Sequence, residues 1–205
     1  PDITGVSVNL SGVSIKLADG SAALRGLVVG NPAGFKTEHA LSLGEISIKL
    51  DIGSLTTDVI LIKEISIIKP DVTYEYASGG SNLDVIRHNI DRYVAGHLGG
   101  KSEPTNKEPG KKLVIEHVYI KNGTANVSAA MLSGKALSVP LPDLHLTDIG
   151  KKSNGATAGE TVKQILGAMT QSVTTAVSSL NLGDVGDSIK KGAETATDRI
   201  KELLK

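Results

Sequence analysis

The chain has 205 residues, no cysteine, and equal numbers of basic and acidic residues, 22 of each. These totals exclude a disulfide scaffold and thiol chemistry, and the balanced charge argues against a nucleic-acid-binding protein. Aromatic residues make up only 2% of the chain, so the core has to be built from Val, Ile, Leu and Ala. No apolar run approaches the roughly 20 residues that a membrane-spanning helix needs.

Strand signals dominate the first fifty residues. The segment LGEISIKLDI places Ile46, Ile48 and Leu50 on one face and Ser47 and Lys49 on the other, which is the alternation of a sheet that is wet on one side. Earlier apolar alternation between glycines, from residue 6 to residue 29, predicts two or three antiparallel strands.

A continuous apolar strand and a helix follow. Residues 59–68 read VILIKEISII, which predicts a strand covered in part on both faces, and Pro70 ends it. After a Gly-Gly break, the apolar spacing of residues 82–98 predicts an amphipathic helix capped by Ser81 or Asn82. Residues 99–112 combine charge, proline and glycine, so we expect a solvated loop.

Strands return at residues 113–121. Asn122-Gly123 follows them, and this dipeptide between strand-like runs predicts a hairpin turn. The segment KLVIEHVYIKNGTANVS also echoes DVILIKEISIIKPDVTYEY in its pattern of apolar strand, turn and short strand, which indicates a weak internal repeat.

The last quarter of the chain changes to helical spacing. Two helices with narrow apolar stripes are predicted, the first over residues 161–180 and the second after the Gly183-Asp184 break. Three arrangements remain open for them: a helical hairpin, docking on the sheet, and attachment to a membrane surface or a partner. The candidate interface residues are Val162, Leu166, Met169, Val173, Ile189, Ile200 and Leu203.

Signals for catalysis and for metal binding are weak. The five histidines, His39, His88, His97, His117 and His145, do not show a ligand spacing. Glu45 and Asp51 are expected to serve solubility on the polar face of a strand, and the chain lacks the Gly-x-Ser-x-Gly elbow of a serine hydrolase. We therefore expect a non-catalytic protein without a cofactor or a metal site.

The segments LRGLVVGNPAGF, LSLGEISIKLDIGSL, VILIKEISIIKPDVTYEY and SNLDVIRHNID together resemble the AsmA-like proteins of the bacterial envelope, in their N-terminal region. The resemblance covers residues 6–91 and extends more loosely through residues 113–128 and VPLPDLHLTDIG. It implies an elongated antiparallel β structure in the periplasm, with an apolar groove that holds or organises lipid. It also implies an N-terminal anchor or signal, and we expect this segment to be missing because the chain begins at Pro1.

The predicted fold is therefore α+β: an elongated, curved antiparallel sheet with a short middle helix and two C-terminal amphipathic helices. Residues 1–150 would form the sheet domain and residues 151–205 the helical segment. An aliphatic sheet face suits acyl chains, and the candidate groove residues are Ile46, Ile48, Leu50, Ile60, Ile62, Leu113 and Ile115. The competing expectation for this face is that helices cover it as an ordinary core.

Two functions follow from these features. The first is a periplasmic protein that binds or organises lipid or contacts a membrane surface. The alternative is a structural protein that forms homo-oligomers through sheet edges or through its C-terminal helices.

Overall fold

The computed structural model describes residues 3–77, 80–98, 110–128 and 137–180. These residues form a large, mostly antiparallel, open sheet of ten strands, a separate two-stranded ribbon, and two α-helices. The strands are β1 (Val8–Asn9), β2 (Gly12–Lys16), β3 (Ser21–Gly30), β4 (His39–Leu50), β5 (Val59–Ile68), β6 (Asp71–Tyr74), β7 (Tyr76–Ala77), β8 (Gly80–Ser81), β9 (Lys112–Lys121), β10 (Thr124–Val127), β11 (Leu137–Pro140) and β12 (Leu144–Ile149). The helices are α1 (Asn82–Leu98) and α2 (Ala158–Ser178).

The sheet contains two parallel pairs within its antiparallel framework. β5 pairs in parallel with β9, and β6 pairs in parallel with β10. Parallel neighbours need a long connection between them, and the chain from β6 to β9, which includes α1, provides it. The predicted antiparallel sheet is therefore confirmed as mostly antiparallel, with these two parallel pairs as the exceptions.

β5 and β9 end at one row of the sheet, and the neighbouring ladder of β3 and β4 lacks a residue pair in the same row. This row, the interruption line, contains Gly26, Gly44, Lys69 and Asn122. Pairing keeps its register across the line, because Glu45–Ile68 and Ile68–Lys121 pair on one side and Ser42–Asp71 and Asp71–Thr124 pair on the other. Gly26, Lys69 and Asn122 have φ angles of 60°, 54° and 55°, in the left-handed region that few side chains adopt.

The interruption line changes which side chains point into the core. Before it, Ile65 and Ile67 of β5 are buried, whereas after it Val72 and Tyr74 of β6 are buried. One residue in a left-handed conformation shifts the two-residue alternation, as a β-bulge does. Because adjacent strands shift in the same row, the ladders stay aligned and both halves contribute to one core cluster.

The hairpin predicted at Asn122-Gly123 is wrong. β9 and β10 do not pair with each other; β10 pairs with β6 and β11 instead. Asn122 does supply the left-handed conformation that Asn tolerates, but it interrupts a strand that continues in the same direction. The two segments with the repeated pattern thus lie side by side, with Lys69 and Asn122 in matching positions.

The middle helix has the predicted bounds. Ser81 caps it, because the Ser81 hydroxyl accepts a hydrogen bond from the Asp84 amide at 3.1 Å and the Asp84 carboxylate accepts one from the Ser81 amide at 3.3 Å, a reciprocal arrangement typical of helix starts. Leu83, Ile86 and Ile90 lie on its inner face and are almost completely buried.

The helix α2 closes one side of the core. It begins three residues before the predicted start, with Thr157 and Glu160 forming a capping box. Met169, Val173 and Val177 are buried in the same cluster as the sheet, so residues from both predicted domains share one core. Lys163 of α2 and Asp91 of α1 form an ion pair at 2.8 Å. The second predicted C-terminal helix and most of the predicted loop 99–112 lie outside the described residues.

Candidate functional site

Burial along the apolar face of the sheet falls from one edge to the other. One row runs from Ile120 through Ile67, Ile46 and Leu24 to Val13, each paired with the next. Ile120 is 4% exposed and Ile46 is 8% exposed, whereas Val13 at the β2 edge is 57% exposed. The adjacent row ends in the same way, since Val118 is 0% exposed and Ile15 is 61% exposed. The apolar face is therefore open at β2.

The position of the helices explains this gradient. The principal contacts of α2 with the sheet are to β9, β10, β11 and β12, and α1 packs mainly against α2. At its outer side α1 reaches the chain before β1, where the Asn89 amide donates to the Thr4 carbonyl at 2.9 Å. Among the described residues, neither helix makes such contacts with β2, so its inward-facing side chains are left without a covering layer.

We call this uncovered region the open apolar face. Its members are aliphatic, lie on β2, β3 and β4, and share the side of the sheet that carries the core: Val13, Ile15, Leu24, Ile48 and Leu50. Leu17, 62% exposed, directly follows β2 in the chain. Ile52, 46% exposed, stands at its end. Contiguous exposed apolar patches often mark binding sites.

The predicted groove residues divide between this face and the core. Ile48 and Leu50 belong to the open apolar face, and Ile46 borders it. Ile60 and Leu113 are half-buried and pair with each other. In contrast, Ile62 and Ile115 are 7% and 0% exposed, so these two side chains are core residues that offer a ligand almost no surface.

The most exposed residues of this region are not among the groove residues predicted from the sequence. Val13, Ile15 and Leu17 alternate with polar residues in GVSIKL, which predicted a strand with a buried side. The sequence contains no signal that this strand lies at an edge beyond the reach of the helices. The alternation of these residues can therefore be recognised in the sequence, but the exposure of their side chains cannot.

The helix-interface candidates that belong to the described residues lie inside the molecule. Met169 and Val173 are buried, and Val162 and Leu166 are half-buried against the core. Ile189, Ile200 and Leu203 lie outside the described residues. Of the three arrangements left open, docking on the sheet is the one that α2 adopts.

The opposite face of the same strands is polar and charged. Arg25 and Glu45 form an ion pair at 2.8 Å, and Lys49 and Glu64 form one at 2.9 Å. These side chains are 31–64% exposed, so each pair adds little stability. The sheet thus separates a mostly charged side from an aliphatic side.

A buried carboxylate fastens the loop after β3. Glu75 is 4% exposed and accepts hydrogen bonds from the amides of Lys36 and Thr37, both at 2.8 Å, and from the Thr37 hydroxyl at 2.6 Å. Burial raises the pKa of Glu75, but the three hydrogen bonds outweigh it and the net pKa is lowered. Since its oxygens are occupied by this loop, Glu75 has a structural role.

A second polar cluster lies on the charged side of the sheet. His145 Nε2 is 3.1 Å from His117 Nδ1, and the Tyr119 ring stacks on His145 with a centroid distance of 4.4 Å. Both histidines are exposed. The part of the chain that the structure describes contains no group of three or more His, Cys, Asp or Glu side chains placed to hold a metal ion.

Within the described ranges, no helix has the length and apolarity required to cross a membrane. No family model matches the chain, and no curated protein matches it either.

Proposed function

We propose that this protein binds phospholipid acyl chains on the open apolar face. The observation that carries the proposal is the loss of cover towards β2, where Val13, Ile15 and Leu17 are 57%, 61% and 62% exposed. Each buried methylene group of an acyl chain contributes about 0.8 kcal/mol without any specific partner atom. An aliphatic surface without hydrogen-bonding side chains therefore suits such a ligand better than a polar substrate.

The resemblance to AsmA-like envelope proteins supports the same function. We accordingly propose a non-catalytic role on the periplasmic side of the bacterial envelope, with the sheet curved around the lipid. Ile48 and Leu50, which the alternation indicated, would form the inner part of the site. Val13 and Ile15 would form its rim.

Lipid extraction tests this proposal. The chain is purified from a bacterial envelope fraction without harsh detergent, extracted with organic solvent, and assayed for phospholipid by mass spectrometry. We expect close to stoichiometric phospholipid, and a loss of at least fivefold in the Ile15→Asp variant. Ser14→Asp is the matched control, because Ser14 is the next residue on the strand and points to the opposite face.

The result can also contradict the proposal. A wild-type chain that carries no phospholipid, or equal lipid content in Ile15→Asp and Ser14→Asp, would exclude the open apolar face as the binding surface. Ile48→Asp provides a second test deeper in the face. Its folding is checked by circular dichroism, because Ile48 is half-buried.

Self-assembly through β2 is the second candidate function. β2 pairs only with β3 among the described residues, so its outer edge presents free backbone groups beside exposed apolar side chains, a combination that favours strand pairing. Sedimentation velocity distinguishes the two functions. A lipid-free dimer that dissociates in the Val13→Lys variant would favour assembly, whereas a monomer with bound lipid would exclude it.

A further inference from the structure

We propose that His117 and His145 together bind a divalent transition-metal ion, on the side of the sheet that faces away from both helices. This site is independent of the open apolar face and of lipid binding. The two rings approach through His117 Nδ1 and His145 Nε2, which are 3.1 Å apart. Imidazole nitrogen is a preferred ligand of Zn²⁺, Ni²⁺ and Cu²⁺.

The distance between the two nitrogens suits a shared metal ion. Metal–imidazole bonds are about 2.0–2.1 Å long, and two such bonds to nitrogens 3.1 Å apart enclose an angle of about 95–100° at the metal. This angle lies between the octahedral and tetrahedral values. Both nitrogens can therefore bind one ion once the rings turn, so that their lone pairs point to the metal and not to each other.

The sheet holds both rings in place before a metal arrives. β9 and β12 are antiparallel neighbours, with Tyr119 opposite His145 and His117 opposite Thr147, so the two histidines are diagonal neighbours on one face. The Tyr119 ring stacks on His145 at 4.4 Å and on His117 at 5.9 Å. Prior ordering of the ligands reduces the entropy that binding has to overcome.

Metal binding requires the proton between the two rings to move to the outer nitrogen of its ring. In the metal-free pair, one ring donates its N–H to the other ring. A metal ion needs the lone pairs of His117 Nδ1 and His145 Nε2, so each ring must carry its proton on the outer nitrogen. The donor ring exchanges tautomer through water and no net proton is released.

The site supplies two protein ligands and leaves the remaining positions to water. Glu64 is next to His117 across the β5–β9 ladder, but its carboxylate is engaged by Lys49 at 2.9 Å. Lys121 lies over the Tyr119 ring at 5.0 Å and disfavours a cation nearby. An open site with two imidazoles should follow the general affinity order of divalent ions, in which Cu²⁺ binds most tightly.

Copper titration of the untagged chain tests the site. The affinity tag is removed, and Cu²⁺ is added at pH 7.5 while binding is followed by calorimetry and by the nitrogen couplings in the electron paramagnetic resonance spectrum. We expect one Cu²⁺ per chain with two imidazole nitrogens in its coordination sphere. His117→Ala and His145→Ala should each weaken binding at least tenfold.

The control is His88→Ala, since His88 is exposed on α1 and should leave Cu²⁺ binding unchanged. His145→Gln gives a second variant in case an alanine variant fails to fold. Equal Cu²⁺ affinity in the wild type and in the His117→Ala/His145→Ala double variant would overturn the proposal. A spectrum with only one coordinated imidazole nitrogen would overturn it as well.

Discussion

Lys69 follows β5 and Asn122 follows the parallel strand β9, directly after the paired residues Ile68 and Lys121. Both have a left-handed backbone, with φ angles of 54° and 55°. Each residue interrupts a strand that continues on its far side in unchanged register. The Lys69 amide donates to the carbonyl of Lys121, the residue before Asn122, at 2.8 Å. The paired interruptions allow the apolar side chains of both halves of the sheet to reach one core.

The backbone at Asn122 provides a stability prediction. Asn122→Val should lower the free energy of unfolding by about 1–2 kcal/mol, because a β-branched residue is strained in the left-handed region. Asn122→Gly should have little effect or stabilise the protein. Urea denaturation measures both, and Lys121→Val is the matched control one residue earlier in regular strand conformation. Equal losses for the two valine variants would contradict the role given to the φ angle.

Glu75 makes the stability of the protein depend on pH. Its folded pKa is lowered, so its contribution is present above the unfolded value of about 4.3 and is lost as the pH falls through the folded pKa. Glu75→Gln should lower the free energy of unfolding by about 1–3 kcal/mol at pH 7. As the pH is lowered, the free energy of unfolding of this variant should decrease less than that of the wild type. Urea denaturation at pH 7, 5 and 3 measures this.

The control for Glu75 is Glu45→Gln, because Glu45 is in an exposed ion pair with Arg25 and should contribute less than about 1 kcal/mol. If Glu45→Gln and Glu75→Gln had the same effect at pH 7 and in acid, the hydrogen bonds to Lys36 and Thr37 would not be the source of the stability.

The buried amide of Asn82 should be sensitive to truncation. It donates to Asn31 Oδ1 at 2.7 Å and to the Thr73 carbonyl at 2.8 Å, and it accepts from the Glu75 amide at 3.0 Å. Asn82→Ala leaves these buried groups without a partner, so we expect a loss of about 2–4 kcal/mol in thermal or urea unfolding. Asn9→Ala, at an exposed position of β1, should change stability by less than about 0.5 kcal/mol.

The gradient of burial across the sheet is testable through stability alone. Ile115→Ala should lower the free energy of unfolding by about 2–5 kcal/mol, since its side chain is fully buried. Ile15→Ala should lower it by less than about 0.5 kcal/mol, because Ile15 is 61% exposed. Urea unfolding curves of the two variants measure the difference. A large loss for Ile15→Ala would mean that a part of the chain covers the open apolar face.

The alternation in LGEISIKLDI and the spacing of residues 82–98 determined local structure well. Ile46 and Ile48 are directed to the apolar side, and α1 has the predicted bounds. Both patterns depend only on neighbours along the chain. Side-chain polarity at a period of two or of 3.6 residues is enough to set which side of an element faces the core.

The sequence by itself therefore determined which side of each strand and helix is apolar. Only the tertiary structure decided which strands pair and where the apolar face stays exposed. Asn122-Gly123 has the local chemistry of a hairpin, yet the partner of β10 is β6, which lies far away in the sequence. His117 and His145 become neighbours in the same way, through the ladder between β9 and β12. Alternation specifies a face and not a partner strand, because every apolar strand presents the same period to every other.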